Sequence, residues 1–159
     1  MSNISATVAS ELSRYYQEIA DRITELVAPL TDDQLWTRPY PYGNSIGHLL
    51  LHLTGNLSYY VGTEIAHTGY VRNRPLEFTD SSRAPKEAVL KNFHAAIAMV
   101  RATLTQQKED DWPAAYTAKG MEHGGTRLYA FLNCAAHLSH HRGQIIYLCK
   151  ELEKLSRHK

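Results

Sequence analysis

"AAHLSHHRGQIIYL", residues 135–148, puts three histidines into five positions of a run otherwise patterned like the buried face of a helix. Imidazole is poor core filler unless its ring nitrogens are occupied, so the occupant of those nitrogens governs how this segment packs. Each helical residue turns the chain by about 100°; with His137 at zero, His141 falls near roughly 40°, Cys134 near 60°, Gln144 near −20° and Leu148 near 20°. Positions 134, 137, 141, 144 and 148 thus step by three and four, the seam of a packed helix, with Phe131, Leu138 and Ile145 on its flank. His140 lies about 60° to the other side and reads as solvent-facing or as a support to a neighbouring ring.

Working outward, the same periodicity recurs three more times. Val8, Leu12, Tyr15, Ile19, Ile23, Leu26 and Leu30 predict a first helix over 4–30 that ends near Pro29. Asn44 or Ser45 can cap a second helix over 45–67, which carries Ile46, Leu49, Leu50, Leu53, Leu57, Tyr60 and Val61 on one broad side. Ser82 can cap a third helix over roughly 84–107, with Pro85 in its first turn and Val89, Phe93, Ala96, Val100 and Leu104 turned inward. Thr126 can start a long fourth helix, to about residue 155. Four amphipathic segments without a strand pattern predict an all-α four-helix bundle in one domain over 1–159. The first and third connections are too long for tight loops and are expected over the bundle ends, where Trp36 and Trp112 find apolar surface.

The bulk composition narrows the function classes. With 43% hydrophobic and 21% charged residues and a net charge of +1, the chain has no basic stripe of the kind duplex DNA requires. No apolar run approaches the roughly 20 residues of a membrane span, and the N-terminus lacks the basic and apolar regions of a secretory signal. Cys134 and Cys149, if on one helix, stand about 22 Å apart, far beyond the roughly 7 Å that a disulfide bridges. A reduced cytoplasmic protein with no nucleic-acid or membrane partner is the expectation.

Two histidine pairs have i, i+4 spacing, His48 with His52 and His137 with His141. Such a pair sets two imidazoles one turn apart on the same helix face, which suits a single divalent ion. The apolar centre between Leu49 and Leu53 favours His52 over His48 as the inward ring. A third ring from a neighbouring helix would complete a set of three nitrogens with coordination positions left open, the pattern of a catalytic rather than a structural site. The plain alternative is coincidence, since nine histidines make chance pairs easy. Cys134 reads as a small core residue, though a soft ligand by position, and Gln144 as a partner of a ligand histidine or an interhelical contact. Tyr59, Tyr60 and Trp112 read as packing and Arg142 as surface. His67, His94, His123 and His158 carry no assigned role.

The motifs "NSIGHLLLHLTGN" and "HLSHHRGQIIY" together resemble those of the DinB/YfiT-like metalloenzyme family, in helix order and length over essentially the whole chain. The resemblance implies a four-helix bundle with a three-histidine metal site near one end, the ligands being His52, His137 and His141. It further implies a homodimer and metal-dependent transfer of a low-molecular-weight thiol, such as bacillithiol or mycothiol, to a small-molecule substrate. The ion expected is zinc or nickel foremost, with iron or copper also compatible. A metal-dependent hydrolase and a non-catalytic, stress-related metal-binding bundle are the alternatives. Leu138 and Ser139 stand where an HExxH motif would carry its glutamate, which counts against hydrolysis. The geometric requirement is strict: rings on two different helices must bring their nitrogens within reach of one ion.

Overall fold

The structure is a computed structural model and describes residues 4–121 and 124–157. His123 and His158 lie outside the described residues. Four long helices carry the architecture: α1 (Ile4–Val27), α3 (Ile46–Leu57), α5 (Lys86–Thr105) and α6 (Arg127–Arg157). Two short ones, α2 (Asp32–Trp36) and α4 (Leu76–Thr79), sit in the first two connections. α1 packs against α5 and α6, and α3 packs against the same two helices, so α1 faces α3 across the bundle diagonal. His94 reaches Thr24 and Arg101 reaches Gln17, so α5 runs opposite to α1. The Tyr16 hydroxyl donates to the Phe131 carbonyl and the Cys149 thiol to that of Leu26, so α6 runs with α1. The long first and third connections cross between diagonal helices, which no tight loop could do. Between the helices lie Ile19, Ile23, Leu50, Leu53, Leu57, Phe93, Phe131 and Leu138, all fully buried.

Both tryptophans sit in these connections and are buried. Trp36 donates its indole N–H to the Ala84 carbonyl at 2.9 Å, and its ring lies so close to α3 that a Cβ on Gly47 would come within 2.6 Å of it. Trp112 donates to the Ser5 hydroxyl at 2.7 Å and packs edge-on against Phe131.

Four details differ from the sequence expectations. Residues 32–36, expected as turn, form α2, because Thr31 and Gln34 make a reciprocal capping box. Ser82 does not cap the third long helix. It is tied to the Asp80 carboxylate, and the first turn of α5 is served instead by Asp32 of α2, which accepts from the Lys86 N–H at 2.9 Å. The second long helix stops being α-helical at Leu57 and widens into a π turn over Ser58–Thr63. The Glu64 N–H there reaches back to Tyr59, and the Tyr60 carbonyl accepts instead from the Tyr116 hydroxyl at 2.8 Å. A two-residue antiparallel pair, β1 (Ala115–Tyr116) with β2 (Gly125–Thr126), precedes α6. Thr126 still caps that helix by accepting the Tyr129 N–H. No described helix is long and apolar enough to cross a membrane.

Candidate metal centre

Ser45 opens α3 by accepting the His48 N–H, and the helix that follows places His52 on the face turned to α6. His137 and His141 sit one turn apart on α6 and are half-buried, whereas His52 is buried. The three Nε2 atoms converge. His137 Nε2 lies 3.1 Å from that of His52 and 3.0 Å from that of His141, and the three donor atoms lie within 4.8 Å of one another. The rings meet edge to face, at interplanar angles of 78° to 88°.

The outer nitrogens of His52 and His141 are each held by a partner. His52 Nδ1–H donates to Glu77 Oε2 at 2.7 Å, and His141 Nδ1–H donates to Gln144 Oε1 at 2.7 Å. Both rings therefore turn Nε2, the nitrogen not engaged by these partners, toward the cluster. His137 touches both, yet one N–H at its Nε2 could satisfy only one of them, and its buried Nδ1 has no partner among the described residues. Burial, followed by the neighbouring imidazoles, holds His137 down to about 3 and His141 down to about 4, so both rings stay neutral near pH 7. Three ring nitrogens turned to one spot, with no arrangement of protons on them that satisfies all the contacts, suit a cation. Bonds of about 2.0–2.1 Å from one ion, meeting at roughly 90–110°, put ligand nitrogens about 2.8–3.4 Å apart. The two Nε2 separations above fall inside that range.

Glu77 is the residue that the sequence expectation missed. The helix stripe carries no glutamate, but α4 packs on α3 and brings this carboxylate to the cluster from another part of the chain. Arg72 grips it in a fork, Nε to Oε1 at 2.6 Å and Nη2 to Oε2 at 2.9 Å, with both side chains more than nine-tenths buried. Burial alone would raise the Glu77 carboxyl, but the hydrogen bonds from His52 and Arg72 and the Arg72 charge outweigh it and hold it below its usual range. The carboxylate fits only because Gly55 has no side chain: a Cβ there would overlap Oε1. Phe78, the next residue, lays its ring 4.8 Å from that of His52. An anionic acceptor on the far nitrogen of a ligand histidine fixes its tautomer and raises its basicity.

The remaining candidates separate cleanly. His48 is buried outside the cluster, its Nδ1 against the Ser45 hydroxyl at 2.6 Å and its Nε2 against the Asp80 carbonyl at 3.1 Å. His140 is exposed, and its Nε2 lies 3.3 Å from Gln144 Nε2, which ties it to the His141 support. Gln144 takes the supporting role that its place on the seam allowed. Cys134 is a buried free thiol pushed up to about 12 by burial and lies outside the donor group, as core filler should. Arg142 is half-buried and donates to the Ser139 hydroxyl.

The comparisons agree with this picture. The chain is similar to a solved structure of a conserved protein from Enterococcus faecalis, with a TM-score of 0.75 and 19% identity over 91% of this chain and 96% of that one. At that identity the likeness shows the fold. No curated protein matches. The signature of the DinB superfamily covers residues 15–145, and with the bundle and the paired histidine motifs in place, the chain belongs to that superfamily.

Proposed function

We infer that this protein is a divalent-metal-dependent enzyme that transfers a low-molecular-weight thiol to a small electrophile, with His52, His137 and His141 as the protein ligands. One observation carries the reading: three Nε2 atoms on two helices converge at metal-site spacing, with the far nitrogens of two rings held by Glu77 and Gln144. Three protein nitrogens leave coordination positions for a reactant. A zinc or nickel ion there would supply Lewis acidity and keep a thiol in its nucleophilic, deprotonated form.

The chain's own residues supply orientation rather than proton transfer. Glu77 is committed on both oxygens, to His52 and to Arg72, and serves as an anchor rather than a free base. Hydrolysis needs a group that takes a proton from water, and among the described residues no uncommitted carboxylate joins the donor group. Thiol transfer has no such need at neutral pH once the thiol is acidified. The net reaction forms one S–C bond, releases the leaving group with its electron pair and passes the thiol proton to solvent.

The test uses the purified chain, loaded with zinc or nickel, against a panel of small electrophiles with and without added thiol. Turnover that requires thiol, and is lost with chelator and in His137→Ala, is the expected result. Thiol-independent ester or amide cleavage that is lost with chelator assigns the site to hydrolysis instead. Metal that raises the melting temperature without turnover in either panel assigns it a structural role.

A further inference from the structure

Arg72 belongs to two places at once. Its Nε and Nη2 hold Glu77, and its Nη2 lies 3.4 Å from His52 Nδ1, where both groups share Oε2 as acceptor. Its Nη1 has no hydrogen-bond partner among the described residues, and Arg72 also lines a cavity of about 750 Å³. That cavity is bounded by the π turn, the segment after it and the loop before β2. Its walls are Tyr59, Tyr60 and Tyr70, and Arg74 and Lys119 stand exposed with them. The Arg72 guanidinium lies over the Tyr60 ring at 5.6 Å, and the Tyr60 hydroxyl is spent on the Lys119 carbonyl, so this ring is fixed in place. No acidic residue is among the described residues that line the space.

We propose that this cavity is the binding site for a small organic anion with a planar body, a carboxylate-bearing aromatic being the simplest example, joined to the histidine cluster through Arg72. Glu77 already offsets the Arg72 charge, so Arg74 and Lys119 supply the countercharge, and Arg72 adds a donor from a desolvated position where a hydrogen bond to an anion is strong. The tyrosine faces supply a wall for a flat ligand, and a volume of a few hundred Å³ suits a reactant of drug-like size or smaller. The π turn carries Tyr59 and Tyr60 into this wall, ring centroids 5.0 Å apart. The inference rests on the proposed enzyme reading only for the occupant's being a reactant; either the thiol or the electrophile could carry the anion.

Ligand-observed NMR titration of the purified protein, in its native metal state, tests it with benzoate, benzamide and inorganic phosphate. Benzoate is expected to bind at least tenfold more tightly than either of the others. Arg74→Ala combined with Lys119→Ala, both at exposed positions, is expected to weaken benzoate at least fivefold without changing the metal content measured on the same samples. Equal binding of benzoate and benzamide, equal binding of phosphate, or benzoate binding untouched by the double variant would each overturn the proposal. The last result would mean that the carboxylate had gone to the ion. Protein that carries no metal yet binds benzoate in this pattern would sink the enzyme reading and leave the cavity assignment standing. If thiol-dependent turnover is found, a KM rise in the double variant confined to carboxylate-bearing thiols or to carboxylate-bearing electrophiles identifies which reactant sits here.

Discussion

His48 and His52 on α3 have the same spacing as His137 and His141 on α6, yet the two pairs end differently. On α6 both rings turn their Nε2 atoms to one point, and on α3 only His52 does. The spacing puts both α3 rings on one side of the helix, but neighbouring elements draw them apart. Ser45, the Asp80 carbonyl and the Trp36 edge hold His48, while Glu77 and Phe78 hold His52. An i, i+4 pair brings two rings near each other; the hydrogen-bond partners that other segments offer to the far nitrogens determine where each one points.

The contrast breaks first at the ligands. His137→Ala removes the ring that touches both others and is expected to weaken metal binding by more than about a hundredfold, beyond the range of outer-partner changes, as read by competition with a chelating dye. Glu77→Gln keeps the shape but removes the charge, and an affinity loss of about 10–100-fold is expected from loss of such a partner. Gly55→Ala acts on the same carboxylate by displacing it, so both variants should weaken metal in the same assay while leaving the three rings present. Gln144→Ala removes a neutral partner from a half-buried ring, and a loss of about tenfold or less is expected. His48→Gln sharpens the comparison from the other side. Metal affinity should not change, while loss of a buried strut between α3 and the segment after α4 should cost about 1–3 kcal/mol, a fall of several degrees in Tm. A hundredfold metal loss in His48→Gln would place the wrong member of the α3 pair in the site.

Acidity gives a further separation. With folded-state values held below the ordinary histidine range, the unfolded chain takes up protons on His137 and His141 first as the pH falls. The metal-free protein is therefore at full stability above about pH 6.5 and loses it as the pH drops toward 4 and then 3. Thermal unfolding of metal-free protein between pH 7 and 4 should show this slope, and the variant lacking both His137 and His141 should show a flatter one. Parallel slopes would mean that the rings are not sequestered.

How much of this could be read beforehand depends on whether a local rule governs the feature. The four long helices and the histidines chosen on two of them follow from 3.6-residue periodicity, which the chain carries in its own order. Ser45 and Thr126 cap their helices as their residue types suggest, because capping reaches only three residues ahead. The α5 start escaped that logic, since its cap comes from Asp32, remote in sequence. Arg72 and Glu77 escaped it too. They lie in an irregular connection whose pattern has no period, and their role exists only once α4 rests on α3 at Gly55. That glycine, mid-helix at a place where alanine would be the better helix former, was the one local hint of a close approach.

X-ray absorption at the edge of the metal found in protein purified without a metal-affinity tag tests the central claim most directly. The account predicts one divalent ion per chain with about three imidazole nitrogens near 2.0–2.1 Å and oxygen donors completing the shell. Metal-free protein, fewer than three imidazoles per ion, or a cysteine sulfur near about 2.3 Å would contradict it.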